Sequence, residues 1–320
     1  VAEGRYLSDE LTLHYGLVPR TNRGLFAINE LPDLSERIQV GLLNVLEERD
    51  IQIRGHRIRL PLDVVMFASA NPEDYTNRGR IITPLKDRFG SQIRTHYPLD
   101  ADVEMDIVEQ EASIPEVDGL TVAVPEFMSR VVATISHEAR RSPHLNQRSG
   151  VSVRMSVANQ EAMAASAIRR ALRSGETVAV PRVSDLDALT ASMAGKVEVD
   201  SIDEDRDGEI LDWIVRAAVL GVFREVVPGE LHRGVVEAFE EHDGVSVGEA
   251  VGSAAYAEVA LEIPALATAA AVLLGDEPDG SDLPQALVAS AVELVLEGLH
   301  LSKRLNKVTT GSGSRYRNRG

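Results

Sequence analysis

Two short apolar segments of the sequence are followed by side chains of the kind that bind ligands in α/β proteins. The first is followed by Asn29 and Glu30, and the second by the run Ser69-Ala70-Asn71-Pro72. Neighbouring parallel strands end at the same edge of a sheet, where α/β proteins bind ligands. Asn29, Glu30 and Asn71 are therefore expected to converge there. Either set alone is more typical of an ordinary turn, because Asn and Pro favour turns. The two together favour a ligand site.

These side chains need a sheet to position them, and the first hundred residues have the pattern of one. Residues 25–28 and 64–68 are continuous apolar runs, as in strands buried on both faces. Residues 92–94 are expected to form a third strand. The pattern also predicts a helix over residues 33–48 and a hairpin over residues 51–60. Strands alternating with a helix in this order predict an α/β core with a mostly parallel sheet.

From about residue 101 onwards, the apolar residues recur with the period of a helix. The sequence predicts helices over 101–112, 125–141, 154–174, 183–195, 208–226, 230–241 and 283–300, with joints near 197–208 and 275–284. The Gly-, Ser- and Arg-rich residues 309–320 are expected to be disordered. We therefore expect three domains: an α/β core over residues 1–112, a helical lid over 113–198 and a helical C-terminal region over 199–320.

The composition argues against several classes of function. The chain has 33 Lys and Arg residues against 50 Asp and Glu, a net charge of −17. So acidic a chain repels phosphate backbones, which disfavours nucleic acid as a partner. The absence of Cys excludes thiolate metal sites and fits a cytoplasmic location. The longest apolar stretch, residues 263–275, is shorter than the roughly 20 residues of a spanning helix, so no membrane partner is expected.

Several motifs occur in an order that resembles the chelatase and MoxR branch of the AAA+ ATPases, which includes the magnesium-chelatase motor subunit. Residues 24–30 are similar to the Walker B strand of that family, and residues 69–72 to the end of its sensor 1 strand. Residues 84–90 match the segment that carries the arginine finger, and residues 149–154 the sensor 2 turn that opens a lid helix. The resemblance covers about residues 4–196, and it depends on the ordered set rather than on one motif.

The resemblance implies an AAA+ core followed by a helical lid, with ATP and Mg²⁺ as cofactors. It implies that Glu30 polarises the attacking water and that Asn71 holds this water in line. It also implies that Mg²⁺ is contacted by Asn29, through water, and by Glu30. Arg88 would act as an arginine finger on the nucleotide of a neighbouring subunit. Arg154 would contact the γ-phosphate from the lid, and Arg148 is a competing candidate for that role.

The sequence departs from the family pattern in two ways. Asn29 replaces the Walker B aspartate, and an amide brings no negative charge to the metal. No Gly-x-x-x-x-Gly-Lys-Ser/Thr loop occurs in the 320 residues, since the single Gly-Lys pair, Gly195-Lys196, is followed by Val197. The expectation is that the chain lacks an N-terminal part of its parent protein, which would supply the phosphate-binding loop. The chain by itself is then expected to be inactive.

The implied function is an ATP-driven motor that assembles as a homo-oligomeric ring, a hexamer by resemblance, and remodels a partner protein. A partner with a von Willebrand A domain is implied by the resemblance alone. Two alternatives stay open: a non-catalytic assembly module, and a transcriptional activator of the enhancer-binding AAA+ kind. The second is disfavoured because its Gly-Ala-Phe-Thr-Gly-Ala loop and a helix-turn-helix are not visible in the sequence.

Overall fold

The computed structural model describes residues 15–48, 51–53, 56–58, 61–71, 80–146, 149–199, 206–275, 285–310 and 313–319. The chain divides into two compact units, Val1–Thr95 and His96–Gly320. The predicted boundary at residue 112 would place the helix over 101–111 in the core, whereas the compact units place it with the second unit. The three-domain division itself stays a prediction.

The first unit combines short strands with a few helices. Its elements are α1 (Leu17–Arg20), β1 (Gly24–Ile28), a 3-10 turn (Leu31–Asp33), α2 (Glu36–Glu48), β2 (Ile51–Ile53), β3 (His56–Ile58), β4 (Val64–Ala68) and α3 (Thr83–Arg88). β1 and β4 pair in parallel, and β2 and β3 form the predicted antiparallel hairpin. A small core of Leu31, Leu42 and Leu85 joins α2 and α3 to the sheet.

Two expectations for this unit are corrected. Residues 92–94 form no strand, because their single apolar side chain, Ile93, is 87% exposed and has nothing to pack against. β1 and β4 are not buried on both faces either. In the described part of the unit, Leu25, Val65 and Phe67 are more than half exposed, because the core packs against the opposite face of the sheet.

The second unit is mainly helical. Its helices are α4 (Ala101–Glu111), α5 (Glu126–Arg141), α6 (Val153–Ser174), α7 (Leu189–Ala194), α8 (Asp207–Val226), α9 (Gly229–Glu241), α10 (Ser253–Glu262), α11 (Pro264–Leu273) and α12 (Gln285–Leu301), with a 3-10 helix at Val183–Ala188. One apolar core runs from Phe127 to Tyr316 and so includes residues of both the predicted lid and the C-terminal region. None of the described helices is both long and apolar enough to cross a bilayer.

The second unit also contains five short strands in its described part. β5 (Thr121–Val122) and β6 (Val178–Ala179) form a small parallel pair, and β7 (Val245–Val247), β9 (Gly313–Asn318) and β8 (Leu305–Thr310) form an antiparallel sheet in that order. Taken together, the helices and the small parallel sheets are compatible with an α/β core followed by a helical region.

The prediction that residues 309–320 are disordered is wrong for the described part of that segment, because β9 occupies Gly313–Asn318. Tyr316 is 2% exposed and donates a hydrogen bond to Glu297, while Arg315 forms an ion pair with Asp243 at 2.8 Å. One buried aromatic ring and one ion pair therefore order a segment whose composition is typical of disorder.

Candidate active site

The parallel pairing of β1 and β4 brings the ends of both strands to one edge of the sheet. Ile28 lies opposite Ala68 in the register, so the residues that follow the two strands are neighbours. At the opposite end, Arg23 N–H donates to the Asp63 carbonyl at 2.6 Å, and Asp63 N–H donates to Asn22 Oδ1 at 2.8 Å. The register is thus fixed at its start by side-chain and backbone contacts.

The hydroxyl of Ser69 connects the two strand ends. It donates to Asn29 Oδ1 at 2.5 Å and accepts from Glu30 N–H at 3.1 Å. The Ser69 backbone adds two more bonds, because its N–H donates to the Ile28 carbonyl at 2.9 Å and its carbonyl accepts from Leu31 N–H at 2.9 Å. From the sequence, Ser69 is recognisable only as part of a strand end. Its role as the link between Asn29 and Glu30 depends on a contact between residues far apart in the chain.

Glu30 adopts a left-handed backbone conformation, with φ 52° and ψ 57°. This region is uncommon for residues other than glycine and costs on the order of 1–3 kcal/mol, so it persists only where the surroundings enforce it. Here the hydrogen bond that Glu30 N–H donates to Ser69 Oγ and the 3-10 turn at Leu31–Asp33 hold it. The side chain of Glu30 is exposed at the sheet edge, where solvent reaches it.

Asn71 lies two residues beyond Ser69, after β4, and is exposed at the same edge. A cavity of about 820 Å³ lies beside the strand ends and is lined by Leu31, Ala68 and Ala70. Lys86 and Arg94 line it as well and bring positive charge. Asp87 adds one carboxylate to the same lining, and Asn29, Glu30 and Asn71 are not part of it, so the cavity beside the strand ends is only slightly positive.

The oxygens of Asn29 and Glu30 are the hard donors that Mg²⁺ accepts, directly or through its water shell. Asn29 Oδ1 already accepts the Ser69 hydroxyl, however. Among the described residues no three His, Asp or Glu side chains converge as a metal site would require. The pair can therefore offer a Mg²⁺ ion little more than the Glu30 carboxylate and contacts through water, so most ligands of such an ion would come from elsewhere.

Arg88 ends α3, and its exposed guanidinium pairs with carboxylates of its own unit. Nη2 lies 2.9 Å from Glu47 Oε1, and Nη1 lies 2.9 Å from Asp87 Oδ2. The hydrogen bond and the charge of Glu47, followed by those of Asp87, raise the pKa of Arg88 above its ordinary value. A structural role for Arg88 as the ion-pair partner of Asp87 is the alternative to a role as an arginine finger. This ion pair is observed.

The position of α3 depends on the buried side chain of Gln39. Its Nε2 donates to the carbonyls of Leu34 at 2.9 Å and Arg80 at 3.1 Å, and its Oε1 accepts from Ile82 N–H at 2.9 Å. Gln39 is 1% exposed, so these bonds join α2 to the segment that leads into α3. Gln39 was not predicted from the sequence, because a polar residue on an apolar helix face carries no local signal of its partner.

Arg154 lies in the second unit, in the first turn of α6, and its side chain is exposed. Its N–H donates to the hydroxyl of the N-cap residue Ser152 at 3.2 Å. Within the described residues, no carboxylate lies at ion-pair distance from Arg154. A salt bridge at the helix end would be the structural alternative to a role as ligand contact, and it is not observed there. The competing candidate Arg148 lies outside the described residues.

The turn before Arg154 is held by a buried cluster around Arg140. Its guanidinium donates to both carboxylate oxygens of Glu104, at 2.6 and 3.0 Å, and to the carbonyl of Val151 at 3.0 Å. It also lies 4.7 Å from the ring centroid of Tyr97. Gly150 has φ +69°, a conformation that favours glycine, and a Cβ there would press against the Tyr97 hydroxyl.

We expect Glu104→Gln to lower the free energy of unfolding by about 3 kcal/mol, because it leaves the Arg140 cation without a charged partner in the interior. Glu104 is 0% exposed and also accepts from the Ser156 hydroxyl at 2.5 Å. Urea denaturation measures the change. Glu109→Gln, on the exposed side of the same helix, is the matched control. Equal loss in the two variants would contradict a structural role for the pair.

The comparisons with known proteins give a partial similarity. Over 95 residues, 29% of this chain, the sequence is 33% identical to the magnesium-chelatase 38 kDa subunit of Cereibacter sphaeroides. It is 32% identical over 97 residues to the subunit of the same name from Rhodobacter capsulatus. In each case the match covers 27% of the relative, so the chain spans about a quarter of the length of these curated relatives. No family model matches. The chain is thus a distant, partial relative of magnesium-chelatase subunits.

Proposed function

We propose that this chain carries the hydrolytic half of an ATP site in an AAA+ ATPase of the chelatase and MoxR type. The observation that carries the proposal is the cluster of Asn29, Glu30 and Ser69 at the carboxyl edge of two parallel strands, with Glu30 held in a strained backbone conformation. The partial identity to two magnesium-chelatase subunits supports the same conclusion.

In this proposal the residues at the sheet edge position water. The Glu30 carboxylate accepts a hydrogen bond from the attacking water and draws its proton, while Asn71 orients the same water in line with the bond that breaks. Ser69 keeps both residues in register through its bond to Glu30 N–H. Asn29 would hold Mg²⁺ through water, and that ion neutralises charge on the phosphates when bound.

The two remaining site residues, Arg88 and Arg154, would supply positive charge to the phosphates. Arg88 would reach the nucleotide of a neighbouring subunit in a homo-oligomeric ring, and Arg154 would contact the γ-phosphate of its own subunit. The exposure of both guanidinium groups supports these roles. The work done by such a ring is the remodelling of a partner protein, for which a von Willebrand A-domain protein is our candidate. Magnesium insertion into a porphyrin is a narrower version, suggested by the names of the relatives.

A second candidate is a non-catalytic assembly module. Two observations favour it: Asn29 brings no charge and is occupied by Ser69, and Arg88 is paired within its own unit. The presence of a phosphate-binding loop would distinguish the two candidates. An ATPase needs such a loop, and because none occurs in these 320 residues, another part of the protein would have to supply it.

We expect the 320-residue chain to bind Mg·ATP more weakly than about 1 mM, because no backbone cradle for the β- and γ-phosphates occurs in its sequence. Isothermal titration calorimetry measures this affinity. The full-length protein, if it carries the loop, should bind in the micromolar range and hydrolyse ATP. Micromolar binding by the 320-residue chain would overturn this division of the site. A full-length protein without the loop or turnover would establish the assembly module.

A further inference from the structure

A second cavity, of about 720 Å³, lies wholly within the second compact unit. Its walls come from the 3-10 helix Val183–Ala188, from α8 and α12, and from the sheet formed by β7, β8 and β9. None of the residues discussed for ATP chemistry lines it. Its volume is in the range that holds a small organic ligand.

Two buried glutamates of α12, Glu293 and Glu297, line this cavity. Glu293 is 2% exposed and accepts three hydrogen bonds, from the Tyr256 hydroxyl at 2.5 Å and from the N–H and hydroxyl of Ser184 at 2.8 and 3.2 Å. These donors satisfy its carboxylate. Burial raises the pKa of Glu293 above its ordinary value. The hydrogen bonds of Glu293 are therefore provided by the fold itself, without a ligand.

Glu297 is not satisfied in the same way. It is 5% exposed, and both of its donors, Lys307 Nζ at 2.7 Å and the Tyr316 hydroxyl, bond to the same oxygen, Oε2. Its other oxygen, Oε1, receives no hydrogen bond from the described part of the chain. Among the described residues, the buried side-chain atoms that lack a partner do not include Oε1, so this oxygen is open to the cavity rather than enclosed. The cavity that Glu297 lines is where a donor can enter.

Asp187 lines the cavity as a second acceptor, with its carboxyl group partly enclosed and the charge of Lys307 acting on it. The three cations of the lining are already paired: Lys307 with Glu297, Arg216 with Asp212 and Arg173 with Glu249. Asp187 forms no hydrogen bond or ion pair with any described residue. Burial, opposed by Lys307, raises its pKa, and the nearby carboxylates raise it further. The cavity thus has room for one more positive charge.

We propose that this cavity binds a primary alkylammonium group. An ammonium has three N–H donors, which suit Glu297 Oε1 and Asp187. Its aliphatic stem would pack against Val183, Leu186 and Val215 on the cavity wall. A bare metal ion fits less well, because no three acidic or histidine side chains converge among the described residues. The ammonium can belong to a free alkylamine or to a lysine side chain of a polypeptide.

The test is calorimetric titration of the 320-residue chain at low salt with two probes. 1,5-Diaminopentane represents a free alkylamine, and Nα-acetyl-lysine N-methylamide represents a lysine side chain. We expect at least one probe to bind, and Asp187→Asn to weaken its binding about tenfold, the worth of one charge-assisted hydrogen bond. Asp187→Asn is isosteric and breaks no observed bond. Asp118→Asn, at an exposed site that does not line the cavity, is the matched control and should leave binding unchanged.

Glu297→Gln should weaken binding at least as much as Asp187→Asn, provided that its thermal midpoint shows a folded chain. Tighter binding of the capped lysine assigns the site to a polypeptide partner, and tighter binding of the diamine assigns it to a free amine. The proposal is overturned if neither probe binds with a Kd below about 10 mM. It is also overturned if Asp118→Asn weakens binding as much as Asp187→Asn does.

Discussion

Glu30→Gln is expected to reduce ATP turnover by the full-length protein at least about 100-fold, the lower range for loss of a general base. The amide has the size of the carboxylate and keeps the backbone bonds of residue 30, but it can neither accept a proton from water nor attract it by charge. Nucleotide affinity should stay within a factor of a few, because a residue that orients water need not hold the phosphates. Steady-state hydrolysis and a binding titration on the same preparation measure the two effects.

The control for this variant is Glu36→Gln, which makes the same charge change at an exposed position in the first turn of α2. It should leave turnover near the wild-type value. If Glu30→Gln hydrolyses ATP as fast as the control does, Glu30 does not activate water. The left-handed conformation of residue 30 would then be a feature of the turn alone.

The sequence allows part of this site to be predicted. Apolar runs identify β1 and β4, and a parallel pairing is enough to bring Asn29, Glu30 and Asn71 to one edge of the sheet. The rest of the site depends on contacts between residues that are far apart in the sequence. The φ of 52° at Glu30 is enforced by Ser69, which is 39 residues away in the chain, and no local propensity encodes it. A strained glutamate is therefore visible only in the folded chain.

The same reasoning explains the gaps in the helical prediction. The helices α10 and α11 follow each other over residues 253–273 and were not predicted. α11 contains Ala and Leu on nearly all sides, so it lacks the alternation of polar and apolar faces by which a surface helix is recognised. Residues such as Tyr316 and Gln39 are ordered by a partner elsewhere in the chain, and composition cannot reveal that partner.

The ion pairs of Arg88 with Glu47 and Asp87 do not by themselves exclude a role in a neighbouring subunit. Both pairs are exposed, and exposed ion pairs contribute little to stability because water and salt screen them. A guanidinium at the end of a short helix can therefore exchange these carboxylates for a phosphate at modest cost. A structural role and a catalytic role make different predictions for mixed assemblies of two variants.

We expect Arg88→Ala to reduce ATP turnover by roughly 10³–10⁵-fold, the range for arginine fingers, and to leave ATP affinity within about a factor of ten. The loss concerns the transition state, because the cation compensates charge that develops there. Each active interface would need Glu30 from one subunit and Arg88 from the next. Mixing Arg88→Ala with Glu30→Gln subunits should therefore restore part of the activity, since some interfaces in a mixed ring keep both residues. Size-exclusion chromatography establishes whether mixed rings form, and Arg37→Ala, at an exposed arginine of α2, is the control for loss of a surface guanidinium. Mixed rings without activity would show that Arg88 acts within its own subunit, as the partner of Glu47 and Asp87.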